Sequence, residues 1–422
     1  MNVLNNSIYF HGTDYYIQDF RLKSLCKSRE TPFYLYDANY ILNKYEQMKK
    51  YFDWDKLKIF YAMKANYNPH LLKIMKEYDF YLDTVSPAEV VLADKLGFAK
   101  DRILFTANNM TDYEMTIVNQ KGILLNIDSL TRLERYAKSY PGTSVSLRIN
   151  PDVIAGENKK VQTGGDLSKF GILLGDVPKA LGVAKQYGIK IVGLHEHTGS
   201  GISDTAKVYE SMKHLLGCAR REDFPDLNFI DFGGGFKVPY HPEEEEIDYM
   251  DFGAKTIRLF RQFCEYYGKE LDLCFEPGKY IVADSGCLVV RVNTVKNNKG
   301  RLIVGTDSGF SHLIRPVLYG AYHHIINISN PFGELRKYDI YGNICESGDC
   351  FAINREIPEI RNGDYLAIQN AGAYCLSMAS EYNLRPLPSE YIIYNKEVLL
   401  SRLKLSHTEM AEKVLADYCN IL

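Results

Sequence analysis

The sequence predicts a (β/α)8 barrel that is followed by a second, mostly β domain. Between about residues 56 and 275, short β-branched or aromatic runs alternate with amphipathic segments, which is typical of a parallel sheet with helices between its strands. Eight such repeats over about 230 residues match a closed barrel, whereas an open doubly wound sheet usually has fewer. After about residue 285 the strand-like runs continue without regular helices between them, which indicates the β domain.

The elements of the barrel follow in chain order. The predicted strands are Lys56–Tyr61, Phe80–Val85, Arg102–Thr106, Gly122–Ile127, Val145–Ile149, Ile189–Leu194, Leu227–Phe232 and Leu271–Phe275. The clearest helical segments between them are Pro69–Tyr78, Pro87–Leu96, Ser129–Lys138, Val177–Tyr187, Ala206–Arg220 and Tyr249–Tyr267. Each of these segments is long and periodic enough to cover one side of a parallel strand.

The β domain is predicted from runs that are separated by turn signals. Its clearest strands are Cys287–Val295, Arg301–Gly305, Tyr365–Gln369 and Glu390–Ile393, and a helix over Thr408–Tyr418 closes the chain. The N-terminal segment Asn6–Leu25 is expected to join this domain, because chain termini often lie close together. We therefore predict an N-terminal segment over residues 1–30, a barrel over 31–284 and the β domain over 285–422.

Composition excludes several classes of protein. The 422 residues carry a formal charge of -3, so no basic field attracts nucleic acid or an anionic membrane surface. No apolar run approaches the ~20 residues that span a bilayer, and the first residues do not resemble a signal peptide. The nine cysteines are scattered without a Cys-x-x-Cys pair, which favours a reducing cytoplasm over a disulfide framework.

Lys64 is the first candidate catalytic residue. It directly follows the first predicted barrel strand, and active sites of barrel enzymes lie at the carboxyl ends of the strands. An apolar setting disfavours the charged form of a lysine and makes its amine nucleophilic. Such amines form Schiff bases with carbonyl compounds, of which pyridoxal phosphate (PLP) is the leading example. A lysine that merely extends into solvent at a strand end is the ordinary alternative.

The other strand ends also carry polar or glycine-rich groups. The second strand carries Asp83 near its end and is followed by Ser86, and the fifth ends in Arg148-Ile-Asn-Pro151. The sixth is followed by His195-Glu-His-Thr-Gly-Ser200, the seventh ends in Asp231-Phe-Gly-Gly-Gly235, and the eighth is followed by Glu276-Pro-Gly278. The three glycines predict a phosphate cradle, with Ser200 as a hydroxyl donor, because barrel phosphate sites commonly use the loops after strands seven and eight. A tight turn without a ligand is the alternative.

The pair His195 and His197 raises the possibility of a metal site. His-x-His ligands share one face of a strand in barrel metallohydrolases, but such sites usually need further histidines from other strand ends, and these are missing here. We therefore predict no metal. A histidine that stacks on a planar cofactor, with its neighbour packed or hydrogen bonded, fits better. A carboxylate such as Glu276 can keep a pyridine nitrogen protonated, so that the ring acts as an electron sink.

Seven motifs in order carry a family resemblance. They are Tyr61-Ala-Met-Lys-Ala-Asn66, Lys169-Phe-Gly-Ile172, His197-Thr-Gly-Ser200, Asp231-Phe-Gly-Gly-Gly235, Glu276-Pro-Gly278, Cys345-Glu-Ser-Gly-Asp349 and Gly372-Ala-Tyr374 with Ser377-Met-Ala-Ser380 and Tyr382-Asn-Leu-Arg-Pro386. The chain, from about residue 31 to 395, resembles the fold-type III PLP-dependent decarboxylases, and most of all the diaminopimelate decarboxylase family. The resemblance implies a carboxy-lyase of amino-acid biosynthesis, with lysine as the product.

The resemblance also implies a role for each matching residue. Lys64 would form the Schiff base, His197 would stack on the ring, and Glu276 would hold the pyridinium proton. Asp83 and Arg148 would support the ring and the Schiff-base region. The phosphate would be held by Ser200, Gly234, Gly235 and Tyr374, with backbone assistance from Gly278 and Lys279.

A further implication concerns assembly and substrate binding. Enzymes of this family are head-to-tail homodimers, so Cys345 and Glu346 would enter the site of the other subunit. There Cys345 would donate the proton after carbon dioxide leaves, and Glu346 would contact the distal amine of the substrate. Lys279, Arg315, Tyr319 and Tyr374 would complete substrate binding.

Two positions depart from the family pattern. Lys279 stands where the family has an arginine that clamps the distal carboxylate, and lysine lacks the bidentate fork. Glu196 replaces a cysteine and is expected to add a carboxylate near the cofactor. Diaminopimelate is the first-choice substrate, and D-ornithine, D-lysine or carboxynorspermidine are alternatives. A non-catalytic PLP-binding regulator would have no need of Lys64, Cys345 and Glu346 together, and a metallohydrolase would require zinc instead of PLP.

Overall fold

The chain folds into two compact units. A computed structural model describes residues 4, 6–153, 168–199, 201 and 204–418. The barrel unit comprises Asn43–Lys237 and Glu246–Tyr280, and the β unit comprises Met1–Leu42, Val238–Glu245 and Ile281–Leu422. The barrel unit thus begins about twelve residues later than the predicted boundary at residue 31 and ends at 280 instead of 284.

Eight parallel strands of the described chain close into a barrel, which confirms the predicted fold class. Each strand pairs with the next, and the eighth pairs with the first through Phe275 and Ile59. The strands are Leu57–Ala62, Tyr81–Thr84, Ile103–Phe105, Leu124–Ile127, Ser144–Asn150, Lys190–His195, Phe229–Asp231 and Asp272–Phe275, and the short strand Ile172–Leu173 adds to the fifth. All eight overlap the runs that the sequence indicated.

A helix follows each barrel strand. Their bounds are Pro69–Glu77, Pro87–Lys95, Asp112–Gln120, Leu130–Ser139, Val177–Tyr187, Thr205–Cys218, Tyr249–Tyr267 and the short Lys279–Val282, with Ala38–Tyr51 before the first strand. Side chains cap several of the N-termini. Thr111 and Glu114 form a reciprocal capping box, and the Ser86 side chain accepts a hydrogen bond from the Glu89 N–H. Ser86 is therefore a helix cap.

The interior of the barrel changes character along its axis. Phe60, Leu104 and Cys274, on the first, third and eighth strands, form a buried apolar cluster. Towards the carboxyl ends the buried residues are polar, and they include Asp83 and Asp231, both with no exposed surface. Because buried polar groups cost free energy unless they are paired, this polar layer marks the functional end of the barrel.

The β unit is built on one large sheet. In spatial order its strands are Cys350–Pro358, Leu335–Tyr341, Arg301–Thr306, Gly286–Asn298, Phe33–Asp37, Ser389–Tyr394 and Glu397–Arg402, with Tyr365–Ile368 and Ile325–Asn327 branching from Gly286–Asn298. Its helices are Leu22–Lys27, Arg315–Tyr319 and His407–Asp417, and its short 3-10 turns include Ala283–Ser285, Leu376–Met378 and Tyr382–Leu384. The barrel unit has 3-10 turns at Met63–Ala65, Lys100–Arg102 and Leu174–Asp176.

The N-terminal segment belongs to the β unit, but it forms a sheet of its own. Ile8–His11, Asp14–Ile17 and Phe20–Arg21 pair antiparallel with one another. Their buried side chains, such as Ile17, pack on the core of the unit beside Leu35. The strand that the N-terminal region adds to the large sheet is Phe33–Asp37, which we had assigned to the barrel domain.

A helix can cross a bilayer only if it is long and apolar enough. None in the described part of the chain combines the length and the apolar character that crossing a membrane requires.

Candidate active site

Lys64 lies at the carboxyl end of the first barrel strand. The strand ends at Ala62, and a 3-10 turn over Met63–Ala65 carries the lysine out of the sheet. The next helix starts at Pro69, and the Asn68 side chain caps it by accepting from two backbone N–H groups. Lys64 is thus fixed between a buried strand and a capped helix, at the rim that the sequence predicted.

An ion pair holds the amine of Lys64. Its Nζ lies 3.0 Å from Oδ2 of Asp83, at the end of the second strand. Asp83 is fully buried, whereas the Lys64 side chain is 41% exposed. The apolar setting that we expected around Lys64 is therefore wrong, because a buried carboxylate contacts the amine and one side of the side chain is open. Burial, and then the charge of Glu276, raise the pKa of Asp83 to about 7, although Lys64 opposes this.

Glu276 is fixed at both carboxylate oxygens. Oε1 accepts a hydrogen bond of 3.1 Å from the hydroxyl of Thr106, and Oε2 lies 2.9 Å from Nε2 of His195. Burial lowers the pKa of His195, so the ring is neutral and Nε2 donates. For Glu276, burial raises the pKa, but His195 and the cation of Lys64 outweigh it, and the pKa falls to about 2. Glu276 is an oriented anion inside the barrel.

His197 and the glycine turn are joined by a hydrogen bond. The backbone N–H of Gly234 donates to Nδ1 of His197 over 3.1 Å, which assigns the ring proton to Nε2. Burial, followed by the charges of Arg148 and Lys64, lowers the pKa of His197 well below its usual range. His197 is therefore a neutral ring at the same rim as Lys64.

The glycines are required by close packing. A Cβ on Gly234 would lie 2.2 Å from the carbonyl oxygen of Glu276, and Gly233 and Gly235 have φ angles of 68° and 97°. The N–H of Gly233 donates to Oδ1 of Asp231 over 2.8 Å. The backbone N–H of Gly235 takes part in neither of these two hydrogen bonds. The Gly234 N–H is thus directed at His197, and the phosphate cradle of Gly234 and Gly235 stays a prediction.

Arg148 lies at the end of the fifth strand, in register with His195 of the neighbouring strand. Its guanidinium lies 4.4 Å from the centre of the Phe170 ring. Burial lowers the pKa of Arg148, but the surrounding carboxylates, Glu276 first, act in the opposite direction. Arg148 supplies buried positive charge beside Glu276.

Glu196 does not point at this rim. Its Oε2 accepts a hydrogen bond of 2.6 Å from the hydroxyl of Ser211, on the helix Thr205–Cys218. Successive side chains of a strand alternate between its two faces, so Glu196 faces the helix layer while His195 faces the interior. The expectation that Glu196 adds a carboxylate near the cofactor is wrong. Burial raises its pKa to about 8.

His195, Asp231 and Glu276 form a cluster that could hold a metal ion. One ligand atom from each lies within 4.8 Å of the others, and all three residues are buried. The sequence prediction considered only further histidines as ligands, whereas the structure brings two carboxylates close to His195. The absence of a metal stays a prediction. In the described structure Glu276 accepts one hydrogen bond from Thr106 and one from His195.

Gly278 and Lys279 lie just after the eighth strand. Gly278 precedes the short helix Lys279–Val282, and Lys279 is buried. Ser200, the predicted phosphate donor, lies outside the described residues.

Three of the predicted residues are partly or fully buried in the β unit. Arg315 opens the helix Arg315–Tyr319, and its guanidinium lies 5.2 Å from the Tyr240 ring and 5.9 Å from the Tyr319 ring. Tyr374 has a left-handed backbone with a φ of 55°. That conformation is uncommon for a tyrosine and indicates a position fixed by its surroundings.

Cys345 and Glu346 occupy an exposed turn of the β unit. The N–H of Cys345 donates to Oδ1 of Asn383 over 2.9 Å, and the Tyr382 hydroxyl donates to Oε1 of Glu346 over the same distance. Asp349 braces the turn from within by accepting the N–H of Ile344 at 2.7 Å. The turn is thus ordered although its reactive groups face solvent.

Sequence reasoning missed Thr106 and the proximity of Asp231 to His195 and Glu276. Thr106 directly follows the third strand, so the inspection of strand ends that identified Lys64 would also have found it. We had examined six of the eight ends. Asp231 had been read only as the start of the glycine motif.

The described residues fit PLP. A half-exposed lysine side chain, a glycine turn in which Gly234 has no room for a Cβ, a neutral imidazole and a buried anion lie at the carboxyl ends of the barrel strands. These groups match an aldehyde, a phosphate, an aromatic ring and a ring nitrogen, which PLP combines in one molecule.

Comparisons with known proteins point to the same family. Residues 38–283 match the family model of the pyridoxal-dependent decarboxylase, pyridoxal binding domain. The diaminopimelate decarboxylase of Methanothermobacter thermautotrophicus is 40% identical over 388 residues, which cover 90% of each chain. That of Escherichia coli K12 is 33% identical over 90% of this chain and 92% of its own.

Solved structures show the same likeness over nearly the whole chain. Diaminopimelate decarboxylase of M. jannaschii in complex with L-lysine has a TM-score of 0.88 at 27% identity, covering 97% of this chain and 98% of its own. The Helicobacter pylori enzyme, also with L-lysine, has a TM-score of 0.86 at 31% identity, covering 94% and 100%. The chain belongs to the pyridoxal-dependent decarboxylase family, and is thus a PLP-dependent carboxy-lyase.

Proposed function

We propose that this enzyme decarboxylates meso-2,6-diaminopimelate to L-lysine and carbon dioxide. The observation that carries the proposal is the ion pair of Lys64 with Asp83 at the barrel rim, in a chain that is 40% identical to a diaminopimelate decarboxylase over 90% of its length. The relatives solved with L-lysine support lysine as the product.

The residues of the chain divide the work of positioning and proton handling. Bound PLP supplies an electron sink that stabilises the carbanion formed when carbon dioxide departs. Lys64 would hold the cofactor through Nζ, and Asp83, 3.0 Å from that amine, orients it. Glu276, with both oxygens fixed by Thr106 and His195, presents an anion that keeps the ring nitrogen protonated. His197 offers a neutral ring for stacking, with its orientation set by the Gly234 N–H.

We further propose that substrate and cofactor use the remaining predicted residues as the family resemblance implies. Ser200, Gly235, Gly278 and Tyr374 hold the phosphate, with Gly234 supporting the turn. Arg315 and Tyr319 bind the substrate's distal end together with Lys279. Arg148 contributes buried positive charge.

A head-to-tail homodimer is part of the proposal. Cys345 and Glu346 lie on an exposed, ordered turn, which suits residues that act in the site of a second subunit. There Cys345 donates a proton to the carbon that carbon dioxide has left, and Glu346 contacts the distal amine. We place the enzyme in the cytoplasm, since all eight cysteines of the described chain are free thiols.

Lys279 favours a second candidate function. A lysine in place of the family's arginine gives a point charge instead of a bidentate fork, which weakens selection for a distal carboxylate. D-lysine, D-ornithine and carboxynorspermidine are therefore the competing substrates. Glu196 has no bearing on the choice of substrate, because it contacts Ser211 on the helix side of the strand.

The decisive experiment compares carbon dioxide release from these amines. Purified enzyme with PLP is incubated with meso-diaminopimelate, D-lysine and D-ornithine, and kcat/KM is measured for each. We expect meso-diaminopimelate to be the best substrate. If it is the poorest of the three, the proposed substrate is wrong. Lys279→Arg is the matched variant, and it should favour meso-diaminopimelate further because the guanidinium binds carboxylates bidentately.

A further inference from the structure

The cluster of His195, Asp231 and Glu276 contains a carboxyl group that the decarboxylation chemistry does not use. Asp231 has no exposed surface and lies on the seventh strand, in register with His195 of the sixth. One polar atom of each of the three residues lies within 4.8 Å of the others. Two carboxylates in such a space repel each other strongly, so the charge must be divided unequally between them.

Hydrogen bonds show how the charge is divided. Glu276 receives one donor at each oxygen, from Thr106 and from His195, which is the pattern that a carboxylate needs. Asp231 receives the Gly233 N–H at Oδ1 only, and among the described residues its buried Oδ2 has no hydrogen-bond partner. A bare anionic oxygen in the interior is far more costly than a protonated one.

We propose that Asp231 is a neutral, proton-bearing carboxylic acid and that its neutrality keeps Glu276 ionised, which makes Asp231 a positioning residue for Glu276. The inference deepens the proposed function, because Glu276 is the anion that serves the cofactor's ring nitrogen. Burial, and then the negative charge of Glu276, hold the pKa of Asp231 well above its usual range. The barrel interior thus presents one negative charge at this point and not two.

Infrared difference spectroscopy of the PLP-bound enzyme tests the protonation directly. A protonated carboxylic acid has a carbonyl-stretch band that a carboxylate lacks. The spectrum of the wild type minus that of Asp231→Asn, at neutral pH, is expected to show the loss of one such band. Other buried acids, Glu196 among them, are present in both proteins and cancel. If no band is lost, Asp231 is ionised, and the proposal is overturned.

Asp272→Asn is the matched control. Asp272 lies on the eighth strand, where it forms an ion pair of 2.6 Å with Lys58. An ion-paired aspartate is a carboxylate, so its replacement should remove no carboxylic-acid band. A band lost equally in both variants would show that the signal does not report Asp231.

The link with Glu276 has its own readout. In Glu276→Gln the neighbouring negative charge is gone, so the Asp231 band should disappear at a lower pH than in the wild type. An unchanged titration of the band would show that the two carboxyl groups are independent, and would overturn the positioning role.

The cofactor affinity separates a neutral from an ionised Asp231. Asparagine mimics a neutral acid, so we expect Asp231→Asn to change the Kd for PLP by less than about tenfold. A much larger loss would mean that the variant removed a needed charge, which contradicts the proposal. These readouts require no turnover, so an enzyme that shows the band but leaves meso-diaminopimelate intact would contradict the proposed function alone.

Discussion

At the scale of single residues, the site depends on which charged side chains are buried in the barrel and which are exposed to solvent. Lys64 is half exposed and reaches solvent, while its partner Asp83 is entirely enclosed. A fully enclosed lysine would resist attack by an incoming amine, and an unpaired one would have no fixed direction. The ion pair gives the amine both a direction and an open side.

Removal of the Lys64 amine should abolish cofactor attachment. In Lys64→Ala we expect the visible-edge absorbance of bound PLP to be lost and kcat to fall by at least about 10³-fold. The control is Lys58→Ala, because Lys58 lies on the strand that leads to Lys64 but pairs with Asp272. That variant should keep both the band and the activity. A band that survives unchanged in Lys64→Ala would instead indicate a non-covalent, regulatory homologue.

Glu196 should make the stability of the protein depend on pH. Its side chain is buried against Ser211, and its pKa of about 8 in the folded chain exceeds the ordinary value of 4.5. The folded state therefore binds a proton more tightly than the unfolded state does. Stability from this group is complete below about pH 4.5, is lost progressively as the pH rises, and is constant again above about pH 8.

Glu196→Gln should remove that pH dependence. Between pH 4.5 and pH 8, the wild-type free energy of unfolding should fall by up to about 1.4 kcal/mol per pH unit more steeply than that of the variant. Urea denaturation at a series of pH values measures the difference. The comparison at the acid end is the internal control, since both side chains are neutral there and only packing differs. Parallel curves would show that Glu196 is ionised in the fold.

At the scale of elements, the barrel strands could be predicted from sequence because each is a short apolar run that local pattern marks clearly. The functional rim was predictable for the same reason, since it is defined by where those runs end. Thr106 was not among the predicted site residues, although it directly follows the third strand. The direction of Glu196 was available from strand alternation, since it lies between two histidines that share a face.

Other features of the site could not be read from local pattern. The bond from Gly234 to His197 joins loops after two different strands, and its existence depends on how far the backbone turns beyond each strand. The protonation of Asp231 likewise depends on three strands meeting in the interior. Sequence gives the order of such groups along the chain, whereas their charge is set by distances between strands.

The glycine turn after the seventh strand should tolerate no side chain. In Gly234→Ala the new Cβ would meet the Glu276 carbonyl oxygen at 2.2 Å, so the backbone must move. We expect a loss of about 2–3 kcal/mol in stability, together with weaker PLP binding, because Glu276 shifts with its carbonyl. Chemical denaturation and cofactor titration measure the two effects.

Gly182→Ala is the matched control for this substitution. Gly182 lies in the helix Val177–Tyr187, and a Cβ there meets nothing within 4 Å. Alanine has the higher helix propensity, so this variant should gain up to about 1 kcal/mol. Equal destabilisation by both variants would contradict a steric origin.

At the scale of the whole molecule, the β unit was harder to predict than the barrel. Leu335–Tyr341 and Cys350–Pro358 were not recognised as strands, because charged residues interrupt their apolar pattern. They lie at one edge of the large sheet, where one strand face is open to solvent. Phe33–Asp37 was assigned to the barrel because its partners lie far along the chain and nothing local reveals them.

Mixed dimers test the proposed sharing of active sites. Lys64→Ala and Cys345→Ala subunits are each expected to be inactive alone. If each site combines Lys64 of one subunit with Cys345 of the other, a mixed dimer contains one intact site, and random exchange should restore about one quarter of wild-type activity. Activity is measured after equal amounts are mixed and allowed to exchange. No recovery, with exchange verified, would contradict a shared site.

The strand Phe33–Asp37 has a consequence for how the protein is made. It lies between Gly286–Asn298 and Ser389–Tyr394 in the sheet, so it leaves the ribosome long before either neighbour exists. At ~5–20 residues per second, its last neighbour is synthesised about 20 to 70 s later. During that interval the nascent chain carries an unpaired, apolar strand, which is the kind of edge that aggregates. Recovery of active enzyme should therefore depend on chaperone supply and expression temperature, because both affect whether the chain aggregates while Phe33–Asp37 is unpaired.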